Sequence, residues 1–299
     1  MKLILLAVLI HGGSLPVFAA MPFTESTLTE VIHVVNVVAS DNKETNPAKT
    51  GDTFKTPDLV RTGRDSRVEL TAKDQTITRV GANTTFSYAQ SGREIQLKEG
   101  SVLFHSPSGA GGGTIKYKGS SAAVLGTTVI AEVMPDGSFK VLVLEGTVTV
   151  TSANGLSVVI KPGQSITVSP DGNAMGPVMS FHLGELASHL LLVVGFSQPL
   201  SSQELIGRAI QQQNQEISAG VLTIAFSWQD SGTGLDLAQF AINDSNYYLH
   251  AFSAAWNPLD FPTGQNGWVI SIPLHLPAIN GAPVIKPPLV TNPNPPVTP

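Results

Sequence analysis

From Thr29 onward the chain is a succession of short β-branched runs separated by Gly, Pro, Asn or Asp and spaced roughly 8–12 residues apart, a rhythm that admits a sandwich, a barrel or a short solenoid. The runs fall at 31–38, 67–71, 76–80, 84–88, 95–98, 102–105, 114–117, 122–133, 139–144, 148–151, 157–160 and 166–169. Several alternate strictly. In Arg67-Val68-Glu69-Leu70-Thr71 the apolar Val68 and Leu70 share one face, as a half-buried strand requires. Long helices have no place in this stretch. A weak internal repeat runs through it: Leu97-Lys98-Glu99-Gly100-Ser101-Val102 and Val143-Leu144-Glu145-Gly146-Thr147-Val148 share a strand, Glu-Gly and a second strand, and Ile160-Lys161-Pro162-Gly163-Gln164 repeats the plan with Pro for Glu. Glycine at these points allows positive φ, so each unit turns a corner between strands. The uneven spacing of the corners favours a curled sheet, a sandwich or a short β-helix over a regular solenoid.

Composition sets the compartment and removes several chemistries. Charged residues make up 13% of the chain, about half the usual share, so Ser, Thr, Asn, Gln and Gly build most of the surface. With no Cys in 299 residues, disulfides, thiolate nucleophiles and Cys-ligated metals are ruled out. The formal net charge is −5 and the bases are scattered singly, which argues against nucleic acid as a partner.

At the N-terminus, Met1-Lys2, the apolar run 3–10 and Val17-Phe18-Ala19 form the three parts of a secretory signal peptide covering 1–19, with cleavage between Ala19 and Ala20. No later segment reaches the ~20 apolar residues of a membrane-spanning helix. The mature chain is therefore expected outside the cytoplasm, periplasmic or secreted.

The composition shifts near residue 172. Residues 173–299 hold seven acids, only two bases (Arg208 and Lys286) and all three Trp. The expected organisation is a β domain over 24–172, a helical segment over 173–219, a small β-containing region over 220–280 and a Pro-rich polyproline-II tail over 281–299. In the helical segment, 183–190 and 201–217 carry apolar residues at helical spacing and form a short hairpin packed on the β domain. Ser201 as N-cap would place Glu204 at N3 and complete a capping box, with Ser218-Ala219-Gly220 ending the helix. The runs 221–228 and 268–272 look like strands.

Five stretches together carry a family resemblance. They are Thr62-Gly63-Arg64-Asp65-Ser66-Arg67-Val68-Glu69-Leu70 with Arg79-Val80-Gly81-Ala82-Asn83-Thr84; 97–102; Ala123-Val124-Leu125-Gly126-Thr127-Thr128-Val129-Ile130; 144–148; and 160–164. In this order, over about half the chain, they resemble the FecR domain. The resemblance implies an extracytoplasmic β domain of the kind found in iron-responsive anti-sigma regulators, where it takes a signal from an outer-membrane transporter. Opening with an export signal and lacking a central membrane helix, the chain is similar to stand-alone exported FecR-domain proteins.

Catalytic signatures are missing: there is no nucleophile elbow, zinc-protease motif, P-loop or EF-hand. The glycine-rich 109–113 leads into a strand-like run, where a phosphate site would need a helix N-terminus. His33, His105, His182, His189, His250 and His275 lack metal-ligand spacing. No catalytic residue, metal site or cofactor is assigned. The candidate partner-binding residues are Arg61, Arg64, Arg67 and Glu69, the densest charge cluster with Asp65, which equally reads as cross-strand ion pairing on a solvated face. Tyr247, Tyr248, Trp256 and Trp268 could stack on sugar, form a protein hot spot or pack a small core. The expected activity is non-catalytic binding of an envelope protein, as a sensory or regulatory module; the alternative is a structural, glycan-associated wall protein.

Overall fold

The computed structural model describes residues 22–40, 44–90, 92–222 and 224. The expected signal peptide with Ala19 and Ala20, nearly all of the 220–280 region and the Pro-rich tail lie outside the described residues. The strands, in chain order, are β1 (Glu25–Ile32), β2 (Val35–Val38), β3 (Thr45–Pro47), β4 (Thr53–Lys55), β5 (Leu59–Thr62), β6 (Arg67–Thr71), β7 (Ile77–Val80), β8 (Thr85–Tyr88) and β9 (Glu94–His105). They continue with β10 (Gly113–Tyr117), β11 (Ser120–Val124), β12 (Thr128–Val133), β13 (Phe139–Glu145), β14 (Val148–Thr151), β15 (Ser157–Ile160), β16 (Gln164–Val168) and β17 (Met179–Ser180). Three helices follow: α1 (Leu183–His189), α2 (Leu191–Val194) and α3 (Gln203–Ser218).

The strands form one open, hydrogen-bonded sheet folded into two layers. One layer runs β4-β1-β6-β7-β9-β12-β13-β16-β17 and is called the inner layer here because helices cover it. The other, the outer layer, runs β3-β2-β5-β8-β9-β10-β11-β14-β15. Only β9 belongs to both: its first half pairs with β8 and β10, its second half with β7 and β12. All pairings are antiparallel except β9 with β10. Of the architectures left open by the alternating pattern, the chain adopts the sandwich. Its single core draws on both layers, and aromatic rings cross between them, Phe54 to Tyr88 at 5.2 Å and Tyr117 to Phe139 at 5.9 Å between centroids.

Several runs that read as one strand are split by a change of layer. The run 31–38 breaks at His33, whose φ is +60°, and 122–133 breaks at Gly126, φ +64°. Conversely, 95–98 and 102–105 are one strand, bent at Gly100 with φ +78°. In the first half of the body the corners are hydrogen-bonded to one another: Gly63 N–H donates to the Val34 carbonyl at 2.8 Å, Asn83 N–H to Gly63 at 3.1 Å and Gly81 N–H to Ser101 at 2.9 Å.

Beyond β16, a turn at 170–172 folds the chain back along the same strand, with Gly176 N–H donating to the Thr167 carbonyl at 2.8 Å. The helices pack on the body as expected, but the first helix of the hairpin is two pieces, interrupted at Leu190 in extended conformation. The capping box does not form. Ser202, not Ser201, is the N-cap, and its hydroxyl lies against Thr128 at 2.8 Å, so tertiary contact takes the group that a box would use. The helix ends where expected, at Ala219 followed by Gly220 with φ +69°.

Gly100 must be glycine for two reasons: its φ is +78°, and a Cβ there would meet Thr84 Cα at 2.6 Å. Gly155→Ala shares only the first constraint, at φ +87° with nothing within 4 Å, and is expected to cost about 1 kcal/mol. Gly100→Ala should cost roughly 3 kcal/mol, a difference that urea unfolding resolves.

Candidate functional site

The central strands of the inner layer are buried on both faces. Val129, Val141 and Val143 point into the sandwich core, while Leu103, Ile130, Leu142 and Leu144 on the opposite face pack under Leu183, Ala187, Leu192, Leu200 and Ile206 of the helical segment. This explains why β13 is buried at every position, whereas β14 in the outer layer alternates.

The helical cover is fastened by Arg79, a cation with no exposed surface. It projects from β7 on the same face as Ile77, opposite Glu69 of β6 in register. Its Nε donates to Glu69 Oε2 at 2.8 Å; one terminal nitrogen donates to the Leu192 and Val193 carbonyls at 3.2 and 2.8 Å; the other donates to the Gln198 carbonyl at 2.6 Å. Leu192 and Val193 lie in the last turn of α2, where carbonyls lack intrahelical partners. The Phe196 ring lies 4.4 Å from the guanidinium carbon. Burial pulls the Arg79 pKa below its ordinary value, and the hydrogen bond and charge of Glu69 pull it back. Both oxygens of Glu69 are engaged, since Thr29 donates to the other one at 2.7 Å.

Two further groups tie the same segment. Arg67 Nε donates to the Gly195 carbonyl at 3.2 Å, and Glu30 accepts from the backbone and hydroxyl of Ser197 at 2.9 and 2.7 Å. Three neighbouring strands, β1, β6 and β7, thus hold the strap 192–198. Breaking a buried pair by removing one partner costs about 3–5 kcal/mol, because the other charge stays buried. Arg79→Met is therefore expected to destabilise by that order and to raise amide exchange selectively over 191–198. Adding Glu69→Met should restore part of the loss, and Arg64→Met should change neither.

A second buried cluster pins the start of α3. The Thr128 hydroxyl donates to Glu145 Oε1 at 2.8 Å and lies 2.9 Å from His105 Nδ1 and 2.8 Å from Ser202 Oγ. Burial pushes the His105 pKa down and that of Glu145 up, opposed respectively by a hydrogen bond to the Thr127 backbone and one from Thr128. These are acid–base and nucleophile side-chain types, but all four are buried beneath the helical segment, so the arrangement fastens α3 and offers solvent no reactive face.

On the same face Lys140 sits opposite Glu132 in register, and burial holds its pKa down to about 8 from 10.5, with Glu132 opposing. The folded state thus resists protonation at Lys140, a cost fully present below about pH 8 and fading as the pH rises to the unfolded value. Relative to Lys140→Met, the wild type should gain stability by at most about 3 kcal/mol between pH 7 and pH 10.5, read from paired urea titrations.

The charge cluster expected from sequence does not form one surface. Arg61 is exposed on the outside of the outer layer, and Arg64 is exposed at the β5–β6 corner, 3.7 Å from Asp65. Across that corner, Arg67 and Glu69 face the helical segment. Within the cluster the exposed Arg64 pairs with Asp65, while Glu69 pairs across strands with Arg79, which lies outside the cluster and is buried. The role of Arg79 was missed, although a lone charge in phase with Ile77 inside an apolar strand was its signal. His105, Thr128 and Glu145 were missed because they meet only through strand pairing. Tyr247, Tyr248, Trp256 and Trp268 lie outside the described residues. Among the described residues no helix is long and apolar enough to cross a membrane, and no group of three or more His, Asp or Glu is placed to hold a metal.

Residues 58–149, from the approach to β5 into β14, match the family model described as FecR protein. Two crystal structures of a proposed anti-sigma factor from Parabacteroides distasonis ATCC 8503 are similar to parts of the chain. One shares 18% identity with a TM-score of 0.37, covering 41% of this chain and 59% of that one. The other shares 16% identity with a TM-score of 0.39, covering 45% and 64%. The match thus spans less than two thirds of each of those chains. No curated protein matches the sequence.

Proposed function

We propose, from the match of residues 58–149 to the family model described as FecR protein, that the chain is an exported, non-catalytic regulatory module that works by binding a protein partner in the bacterial envelope. The family match supports a regulatory rather than a catalytic role. The signal-like residues 1–19 support a periplasmic or secreted location. The observation that carries the reading is the strap: Arg79 and its neighbours spend the polar groups of the helix-covered face on the chain's own backbone. That face is closed to others. The exposed cations Arg61 and Arg64 lie at and beyond the β5–β6 corner, away from the helical cover, and offer a partner charge-directed docking.

The test is photo-crosslinking of the full chain in its own envelope, followed by identification of what is joined to it. A single recurrent envelope protein is expected, with recovery falling about tenfold in the double variant Arg61→Glu/Arg64→Glu while the melting temperature is unchanged. Recovery of wall glycan alone, or of the same protein undiminished by charge reversal, would overturn the proposal.

A further inference from the structure

Each layer of the sandwich ends in two edge strands, and three of the four are blunted. β3 has three residues and contains Pro47; β4 has three and is followed by Thr56-Pro57; β17 has two and runs into α1. β15 is different. Its four residues, Ser157-Val158-Val159-Ile160, include no charge and no proline and, among the described residues, pair only with β14. Val159 is 58% exposed on the outer side, Leu156 just before the strand is 55% exposed, and Val158 faces the core from its half-buried rim. An open, apolar edge of this kind is a ready acceptor for another strand.

The chain itself leads back to this edge. The Gln213 side chain of α3 lies against Gly163, three residues past the end of β15, and donates to the Phe181 carbonyl at 2.9 Å. Gly220 then turns the chain out of the helix, with Val221 and Leu222 N–H both donating to Glu216. At about 1.5 Å per residue, the helix from Gln213 to Ser218 adds only about 8 Å, so the next segment starts within about that distance of the residue that touches the corner after β15. That segment, Val221-Leu222-Thr223-Ile224-Ala225-Phe226-Ser227-Trp228, alternates strictly: Leu222, Ile224, Phe226 and Trp228 on one side, small or polar residues on the other. Extended, it is long enough to cover all of β15 at roughly 3.3 Å per residue.

We propose that residues 223–228, just past the helix terminus, add to β15 as a further strand of the outer layer, with Ile224, Phe226 and Trp228 closing the core beside Val158. The competing occupant is the same edge of a second copy.

With no native Cys, paired cysteines give a clean test in the full chain. Val159 is on the outer side, so its neighbours must come from Thr223, Ala225 and Ser227, which together sample the registers that keep the apolar face inward. Val159→Cys is combined in turn with Thr223→Cys, Ala225→Cys and Ser227→Cys, each is oxidised, and the products are read by non-reducing electrophoresis and peptide mapping. One pair is expected to convert most of the monomer to an intramolecular disulfide, the others little. Dimers joined through Val159→Cys would overturn the proposal in favour of the second copy. No disulfide in any pair, with circular dichroism unchanged, would overturn it outright.

Discussion

Each time the chain passes between layers by a short corner, the corner must match those of the neighbouring strands, and this registration governs everything built above it. Gly81 abuts Ser101, Gly100 abuts Thr84 and Gly146 abuts Thr127, each closely enough that a side chain would collide with the neighbouring turn. Because side chains alternate, the position of a corner decides which residues point into the sandwich and which point away. A slip of one residue in β13 would turn Val141 and Val143 outward and Leu142 and Leu144 inward. It would put Leu where the core is packed around Val and Val where the helices rest on Leu, so that neither surface would fit its partner.

That bed makes the body a three-layered structure. Apolar contact supplies most of the adhesion between the helical segment and the inner layer, but it is not directional. Direction comes from Arg79, whose donors reach the carbonyls of residues 192, 193 and 198 in one geometry. A guanidinium stripped of water is tolerated because Glu69, the strap carbonyls and the Phe196 ring replace its hydration. The same economy appears at α3, where Thr128 occupies the N-cap hydroxyl and joins it to His105 and Glu145. The sandwich therefore holds a helical segment of its own chain on one face, while Arg64 at the β5–β6 corner and Arg61 beyond it stay exposed.

Most strands from β6 to β16 and the Glu-Gly and Pro-Gly corners were legible because they depend on local properties, β-branched alternation and the glycine that positive φ favours, whereas β3, β4 and β5 lie outside the runs read from sequence. The family resemblance was legible for the same reason, its motifs being strands and corners. Arg67, Glu69 and Arg79 were visible as charges in strands, yet the grouping by sequence proximity was misleading. Arg61 and Glu69 are eight residues apart and lie on opposite outer faces, whereas Glu69 and Arg79 are ten apart and touch.

What the sequence determined by itself is therefore the inventory: a body of short strands with glycine corners, and a helix ending at Gly220. What only the tertiary structure decided is the assignment of strands to layers and the fate of each polar side chain. Alternation has a period of two whichever layer a strand joins, so it cannot say that the run 31–38 changes layers at His33 or that 95–105 bends at Gly100 without ending. Nor can local pattern show that Ser202 caps α3 while its hydroxyl is held by Thr128. Those outcomes depend on groups distant in sequence competing for the same hydrogen bonds and the same buried volume, and only the folded chain brings them together.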